Sequence, residues 1–445
     1  MSDRPLRVAV VGSGPAGFYA AGGLLASDDP DVEVDMIERL PTPWGLVRLG
    51  VAPDHPNIKA VSRAFEKIAS QPGFRFFGNV DVGSDVTHDE LAERYDAVLY
   101  AVGAQTDRQL GIPGEELPGS WPATAFVAWY NGHPDFQELE FDLSHERAVV
   151  IGNGNVALDV ARMLALTPEE LAPTDTTDAA IDAINAAGVR EILVIGRRGP
   201  VQAAWTPVEV GELGELAGAD ILVDPKDMRL DAASEAELEA APPTVKRNVD
   251  HLRSYAEREP EGKPRAIRLR FLASPVAILG DDKVEAIEVV RNELVDGRAV
   301  ATDETETVPC GIVFRSVGYR GVELPGVPFD DRSGTIPNEG GRVRPGLYVA
   351  GWIKRGPSGV IGTNKKDATE TVELVLADAR TGVLPAASGD DLEELLAERA
   401  VDHVLYSGWE AIDSAERTAG EPRGRPRVKL CTWDELLEAA RTPGA

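Results

Sequence analysis

VAVVGSGPAG, Val8 to Gly17, and AVVIGNGNVA, Ala148 to Ala157, decide the reading of this chain, because each joins a hydrophobic strand pattern to a glycine-rich turn. In the first, Gly12 makes the tight turn off the strand, Gly14 lets a pyrophosphate approach the backbone, and Gly17 permits close helix–strand packing. The helix expected from Ala16 to Leu25 turns its free N–H groups toward that phosphate. A second strand, Val32 to Ile37, ends at Glu38, where an acid can accept hydrogen bonds from a ribose hydroxyl. The second fingerprint places Gly152, Gly154 and Ala157 behind a strand at Arg147 to Ile151. Its following strand, Glu191 to Ile195, runs into Gly196, Arg197 and Arg198 and carries no terminal acid. Paired guanidiniums offer fork-shaped donors to a 2′-phosphate, so the second site is expected to select a 2′-phosphorylated dinucleotide. Two dinucleotide sites in one chain imply electron transfer between two dinucleotides.

The 445 residues exceed one ordinary core and suggest two or three domains. Only Cys310 and Cys431 occur, far apart in sequence, which excludes a CxxC dithiol, a cysteine-ligated iron–sulfur cluster and a disulfide framework; no metal site is expected. A net charge of −29 argues against nucleic-acid binding. No apolar run is long enough to span a bilayer, and MSDRPLRVAVV enters a strand at once, so a cytoplasmic chain without an integral membrane segment is the expectation.

Further strands are expected at Tyr95 to Val102, Ile267 to Leu272, Lys283 to Asn292, Gly311 to Val317 and Leu347 to Trp352. Helices are expected at Ala232 to Ala241 and Asp367 to Ala379. The stretch PATAFVAWYNGHPDF shows no period over its length, and Thr167 to Asp182, acidic and threonine-rich, reads as an insertion beyond the second fingerprint helix. The turn GPSGVIGTNKKDA opens the last of these helices and suits the anionic or electron-rich edge of a cofactor. The class is α/β, with two Rossmann-like dinucleotide-binding domains.

Several stretches together resemble the ferredoxin–NADP reductases of the adrenodoxin-reductase-like type, close to the actinobacterial members, over nearly the whole chain. They are VGSGPAGFYAA (Val11 to Ala21), LPTPWGLVRLGVAPDHPNIK (Leu40 to Lys59), FRFFGNV (Phe74 to Val80), YDAVLYAVGA (Tyr95 to Ala104), IGNGNVALDVAR (Ile151 to Arg162), VIGRRGPVQAAWTPVEV (Val194 to Val210), RSVGYRG (Arg315 to Gly321) and GWIKRGPSGVIGTNKKDA (Gly351 to Ala368). The fingerprints are shared with many flavoenzymes; PTPWGLVRLGVAPDH with GWIKRGPSGVIGTNKKDA is far more specific.

The resemblance implies an FAD domain at 1–104 and 325–445, with an NADP domain at 105–324 inserted in it. It implies hydride transfer from NADPH to FAD and then single electrons to a ferredoxin or similar small iron–sulfur protein; separately from the resemblance, a monomer is the expectation. For FAD it implies Gly12, Gly14, Pro15 and Gly17 at the pyrophosphate and Glu38 at the ribose, with Leu46, Val82, Trp352, Gly359, Val360 and Ile361 toward the flavin. For NADP(H) it implies Asn155, Val156, Arg197, Arg198, Glu209 and Gly359. His55, Glu209 and Trp352 are the candidate catalytic residues. On sequence alone, His55 beside two prolines and an aspartate also reads as a structural loop residue, and Trp352 as a core aromatic. An electron-input subunit such as that of glutamate synthase, and a non-catalytic nucleotide sensor, are the alternatives. Lys354, Arg355, Lys365 and Lys366, which Arg39 and Arg48 could join, read equally as a local patch that offsets the acidic whole where a ferredoxin docks and as side chains that neutralise cofactor phosphates or cap surface acids.

Overall fold

The computed structural model describes residues 4–359 and 361–442. The chain forms two compact units, one from Met1–Thr106 with Gly318–Ala445 and the other from Asp107–Val317. In chain order, unit 1 opens with Leu6–Val11 (β1), Pro15–Leu25 (α1), Val32–Ile37 (β2), Leu46–Leu49 (α2), Phe74–Phe77 (β3) and Ala97–Tyr100 (β4). Unit 2 supplies Ser120–Pro122 (β5), Ala123–Tyr130 (α3), Arg147–Ile151 (β6), Asn155–Ala165 (α4), Glu191–Ile195 (β7), Pro207–Glu212 (α5) and Ala219–Val223 (β8). It continues with Arg265–Arg270 (β9), Ala273–Leu279 (β10), Ala286–Val295 (β11), Arg298–Pro309 (β12) and Ile312–Arg315 (β13). The return to unit 1 adds Arg342–Arg344 (β14), Leu347–Val349 (β15), Trp352–Arg355 (α6), Ile361–Thr381 (α7), Tyr406–Gly420 (α8) and Trp433–Ala440 (α9).

The sheet of unit 1 runs β14-β15-β4-β1-β2-β3, parallel except for the β14 edge. Its central strand is apolar on both faces, as a parallel strand covered on both sides must be. Val8 and Val10 enter one core with Phe18 and Leu24, while Ala9 and Val11 enter the other with Ile37 and Tyr100. Unit 2 repeats the plan in an all-parallel sheet, β5-β13-β6-β7-β9-β8. Ala148 and Val150 of β6 pack on one side, Val149 and Ile151 on the other. A separate antiparallel sheet, β10-β11-β12, completes unit 2. In each large sheet the order reverses at the fingerprint strand. The chain leaves β1 toward β2 and β3 and later takes up β4 on the other side; β6 stands likewise between β7 and β13. Ligands of open α/β sheets bind at such switch points, outside the carboxyl ends of the strands.

The periodless segment is the helix α3, and its period is hidden because Ala125 to Tyr130 are buried on every side. Residues 167–182, read as an insertion beyond the fingerprint helix, lie in the long crossover from β6 to β7 and are folded. Thr167 and Glu170 form a capping box on the helix Pro168–Leu171, Thr174 to Thr177 are buried, and Thr177 caps the helix Asp178–Asn185. LYVAGW also ends as a strand at Val349, and Trp352 already begins α6. Among the described residues, no helix is long and apolar enough to cross a membrane.

Candidate functional site

In unit 1, β1 gives way to Gly12, whose φ of +100° and closeness to Ala101 exclude any side chain: an added Cβ would stand 2.7 Å from the Ala101 carbonyl oxygen. A Cβ on Gly17 would stand 2.0 Å from the Gly12 carbonyl oxygen, so α1 rests directly on the turn. Gly14 differs from both. Nothing lies within 4 Å of its added Cβ, which makes it the open wall of a cradle that a side chain would fill. Gly14 is also the N-cap of α1, with Pro15 at the start, no side-chain cap and no acid in the first turn. The helix therefore presents first-turn N–H groups and the positive end of its dipole, as a dinucleotide pyrophosphate requires.

Glu38 follows β2 and reaches back to the same turn: Oε2 accepts from the Ser13 backbone N–H (3.0 Å) and hydroxyl (2.7 Å), and Oε1 from the Leu40 N–H (3.1 Å). The loop beyond it covers the turn. Trp44 N–H donates to the Ser13 carbonyl at 3.0 Å, and a Cβ on Gly45 would stand 3.0 Å from the Gly14 Cα. Leu46, next in line, is 46% exposed, a large apolar side chain left uncovered beside the cradle. The far end of the chain returns to the same place: a Cβ on Gly351 would meet the Ala16 Cβ at 2.7 Å. Trp352 stacks on Tyr319 at 5.4 Å between centroids and donates its indole N–H to the Ser358 carbonyl (3.2 Å). Gly359 and Ile361 lead into α7, and Val360 lies outside the described residues. Val82 is a core residue, and His55 is a buried N-cap of the one-turn helix Pro56–Lys59.

Unit 2 rebuilds the cradle. A Cβ on Gly152 would stand 2.1 Å from the Ser316 carbonyl oxygen, whereas Gly154, N-cap of α4, has nothing within 4 Å and the first turn carries no acid. Asn155 Oδ1 accepts from the Thr206 N–H at 2.9 Å, and the half-buried Val156 follows it. Arg197 and Arg198 leave β7 exposed, and neither has an ion-pair partner among the described residues. Their backbone is nevertheless fixed, because the Arg197 carbonyl accepts from Asn292 Nδ2 (2.8 Å) and the Arg198 carbonyl from the Leu272 N–H (3.1 Å). Fixed backbone with unpaired guanidiniums has the chemistry that an anion receptor needs. Glu209 is held from α4: its Oε2 lies 3.1 Å from Nη1 of Arg162, which is 2% exposed and also binds Asp159 at 3.0 Å. The Asp159–Arg162 spacing of three on α4 was the signal that sequence reasoning passed over.

Part of the basic cluster around the flavin loop caps acids. Lys354 pairs with Glu370 (2.7 Å) and Asp367 (3.3 Å), Arg355 bonds Asn364 (2.9 Å), and Arg39 lies over the Trp433 ring. Arg48 is buried against Glu416. Lys365 and Lys366 alone of the group are exposed and without an ion-pair partner among the described residues. Both cysteines are unpaired, and burial pushes the Cys310 thiol up to about 12 and the Cys431 thiol up to about 11.

Two Rossmann-like units, each ending its central strand in a phosphate cradle, define an oxidoreductase of the pyridine-nucleotide class, and the sequence profile of the pyridine nucleotide-disulphide oxidoreductases matches residues 6–172. The chain is 54% identical to the NADPH-ferredoxin reductase FprA of Mycobacterium tuberculosis, over 98% of this chain and 99% of that protein. It is 41% identical to the mitochondrial NADPH:adrenodoxin oxidoreductase of Arabidopsis thaliana, over 99% of this chain and 96% of that one. The structure of M. tuberculosis FprA in complex with NADPH superposes with a TM-score of 0.94 at 53% identity, covering 99% of this chain and 100% of that one. The chain belongs to the NADPH-ferredoxin reductase family, of the adrenodoxin-reductase-like type.

Proposed function

We propose that this protein is an NADPH-dependent, FAD-containing ferredoxin reductase, with unit 1 as the FAD domain and unit 2 as the NADP domain. The observation that carries the reading is the difference between the two cradles. Both expose an uncapped helix N-terminus behind an open glycine, but one is followed by a carboxylate and the other by two unpaired guanidiniums. When bound, FAD converts the two-electron oxidation of NADPH into one-electron steps toward a ferredoxin-type iron–sulfur protein.

The chain supplies binding and orientation. Gly12, Gly14, Pro15 and Gly17 shape the FAD pyrophosphate site, and Glu38 accepts from the ribose with lone pairs left over from Ser13 and Leu40. Leu46 and the turn from Gly351 to Ile361 cover the ring system and exclude water from it. Asn155 and Val156 lie at the NADP pyrophosphate, and Arg197 and Arg198 grip the 2′-phosphate. His55 is assigned a tuning role in flavin reduction, and Glu209, fixed by Arg162, and Trp352 are each assigned to the binding of NADP(H). The working form is a cytoplasmic monomer.

Anaerobic mixing with NADPH, and separately with NADH, tests the proposal while the flavin's visible absorbance is followed. Rapid bleaching saturating at low NADPH and much weaker saturation with NADH are expected. Replacing Arg197 and Arg198 by alanine should cost NADPH about a hundredfold in apparent affinity, on the scale of two lost charge-assisted hydrogen bonds, and leave NADH nearly unchanged. Absorbance unbleached by either nucleotide would overturn the enzyme reading.

A further inference from the structure

The loop that covers the first phosphate cradle is tied to a part of the chain far away in sequence. Arg48, on α2 two residues after Leu46, is buried, and its guanidinium forms a fork on Glu416 of α8: Nη1 to Oε2 at 2.8 Å and Nη2 to Oε1 at 2.5 Å, across 368 positions. Glu416 is 0% exposed and also accepts from Arg427 Nη1 (2.9 Å) and the Leu430 N–H (3.0 Å). Burial works against its charge, but Arg48 and Arg427 outweigh that and hold the carboxyl below the usual range.

A second attachment reaches the backbone. Lys429, itself buried, donates to the Arg48 carbonyl at 3.2 Å, one of the carbonyls that the end of a single-turn helix leaves without an intrahelical partner. A third is aromatic: Trp409 of α8 meets the edge of Trp44 at 4.8 Å and lies 5.3 Å below the Arg48 guanidinium. Trp44 is held at a φ of +83°, uncommon for a bulky residue, and it sits beside Gly45 against the phosphate turn. Side chain, carbonyl and ring of one short loop are thus each fixed from residues 409–429. A surface loop that needed only to close a connection would not require three buried anchors.

We propose that Arg48, Glu416 and Lys429 are positioning residues for the flavin, a clamp by which the C-terminal segment holds the Thr42–Leu49 loop, and with it Leu46, over the bound cofactor. The clamp rests on the assignment of FAD to unit 1. It touches no reacting atom. Its work is to keep the loop from opening, and so to slow cofactor release and fix the surroundings of the ring.

The test uses holoenzyme carrying Glu416→Gln or Lys429→Met, with release of FAD followed by the rise in flavin fluorescence and the flavin's visible spectrum and reduction potential recorded beside far-UV circular dichroism. Glu416→Gln is expected to speed release about tenfold or more, the scale of a lost charge-assisted hydrogen bond, and to shift spectrum and potential with secondary structure unchanged. Lys429→Met should do the same to a smaller extent, and it decides the matter if the first variant does not fold. Wild-type release, spectrum and potential in folded Lys429→Met would overturn the clamp. Gly14→Val separates the two layers of the argument, since it fills the cradle without touching the clamp: if FAD content survives it, the FAD assignment falls. Loss of FAD in Gly14→Val with no change in the clamp variants rejects the clamp alone.

Discussion

Asp107 stands where the chain first enters unit 2, and its environment disfavours its charge. Burial pushes its carboxyl up to about 6, against a hydrogen bond from Thr124 and the nearby charge of Arg315. A folded-state value above the unfolded one means that the native protein binds this proton more tightly than the unfolded chain does. The contribution of the group is therefore fully favourable below about pH 4 and is lost as pH rises through about 6. Two pK units correspond to about 3 kcal/mol at pH 8. Asp107→Asn should stabilise the protein by up to about that amount at pH 8 and by roughly half as much at pH 5. Denaturant unfolding at the two pH values checks this, and a gain independent of pH would exclude Asp107 as its source. The phosphate cradles were legible at this same scale because each glycine answers to one local requirement. The partners of Glu209 and Arg48 were not, since an ion pair inside a core leaves no mark at either sequence position beyond the presence of a charge.

Among the elements, strands were the most legible. Buried parallel strands such as LRVAVV and AVVI read as short continuous apolar runs between turns, and the turns are the glycine motifs themselves. The helix α3 was illegible for the opposite reason: a helix buried all round has no polar face to set a period. Its burial has an energetic consequence. Phe126 is 0% exposed and its ring meets Trp129, Tyr130, Phe141 and Phe314 at 4.7 to 5.6 Å between centroids. Phe126→Ala should cost about 3–5 kcal/mol, the transfer of the ring plus the cavity it leaves. Phe126→Leu, which keeps most of the volume, should cost under about 2 kcal/mol. Chemical denaturation of the two variants gives the comparison, and equal losses would mean that the site collapses around either residue. In the Thr167–Asp182 stretch the run of polar residues gave no sign of burial, yet Thr174 to Thr177 are buried, with hydroxyl and backbone hydrogen bonds among their partners.

At the scale of the whole molecule, a chain of net charge −29 has to meet a partner that is itself usually acidic. Long-range repulsion opposes the encounter, and only a local patch of the opposite sign can reverse it at short range. Of the six basic residues considered for the docking face, three are paired with carboxylates: Lys354 with Asp367 and Glu370, Arg355 with Asp367, and Arg48 with Glu416. If this cluster steers, the work falls to Lys365 and Lys366 on the first turns of α7, exposed and without an ion-pair partner among the described residues. The sign of the salt response then tells the two fields apart. With the lysines in place, attraction dominates the approach, and ferredoxin-dependent turnover should fall as salt screens it. In a Lys365→Glu, Lys366→Glu variant only repulsion remains; turnover at low salt should drop several-fold, on the order of the steering factors known for charged encounters, and should rise with added salt. Reduction of the flavin by NADPH, measured in parallel, should keep its wild-type rate. An unchanged salt slope in the variant would remove these lysines from the docking face and leave the approach to charges elsewhere on the surface.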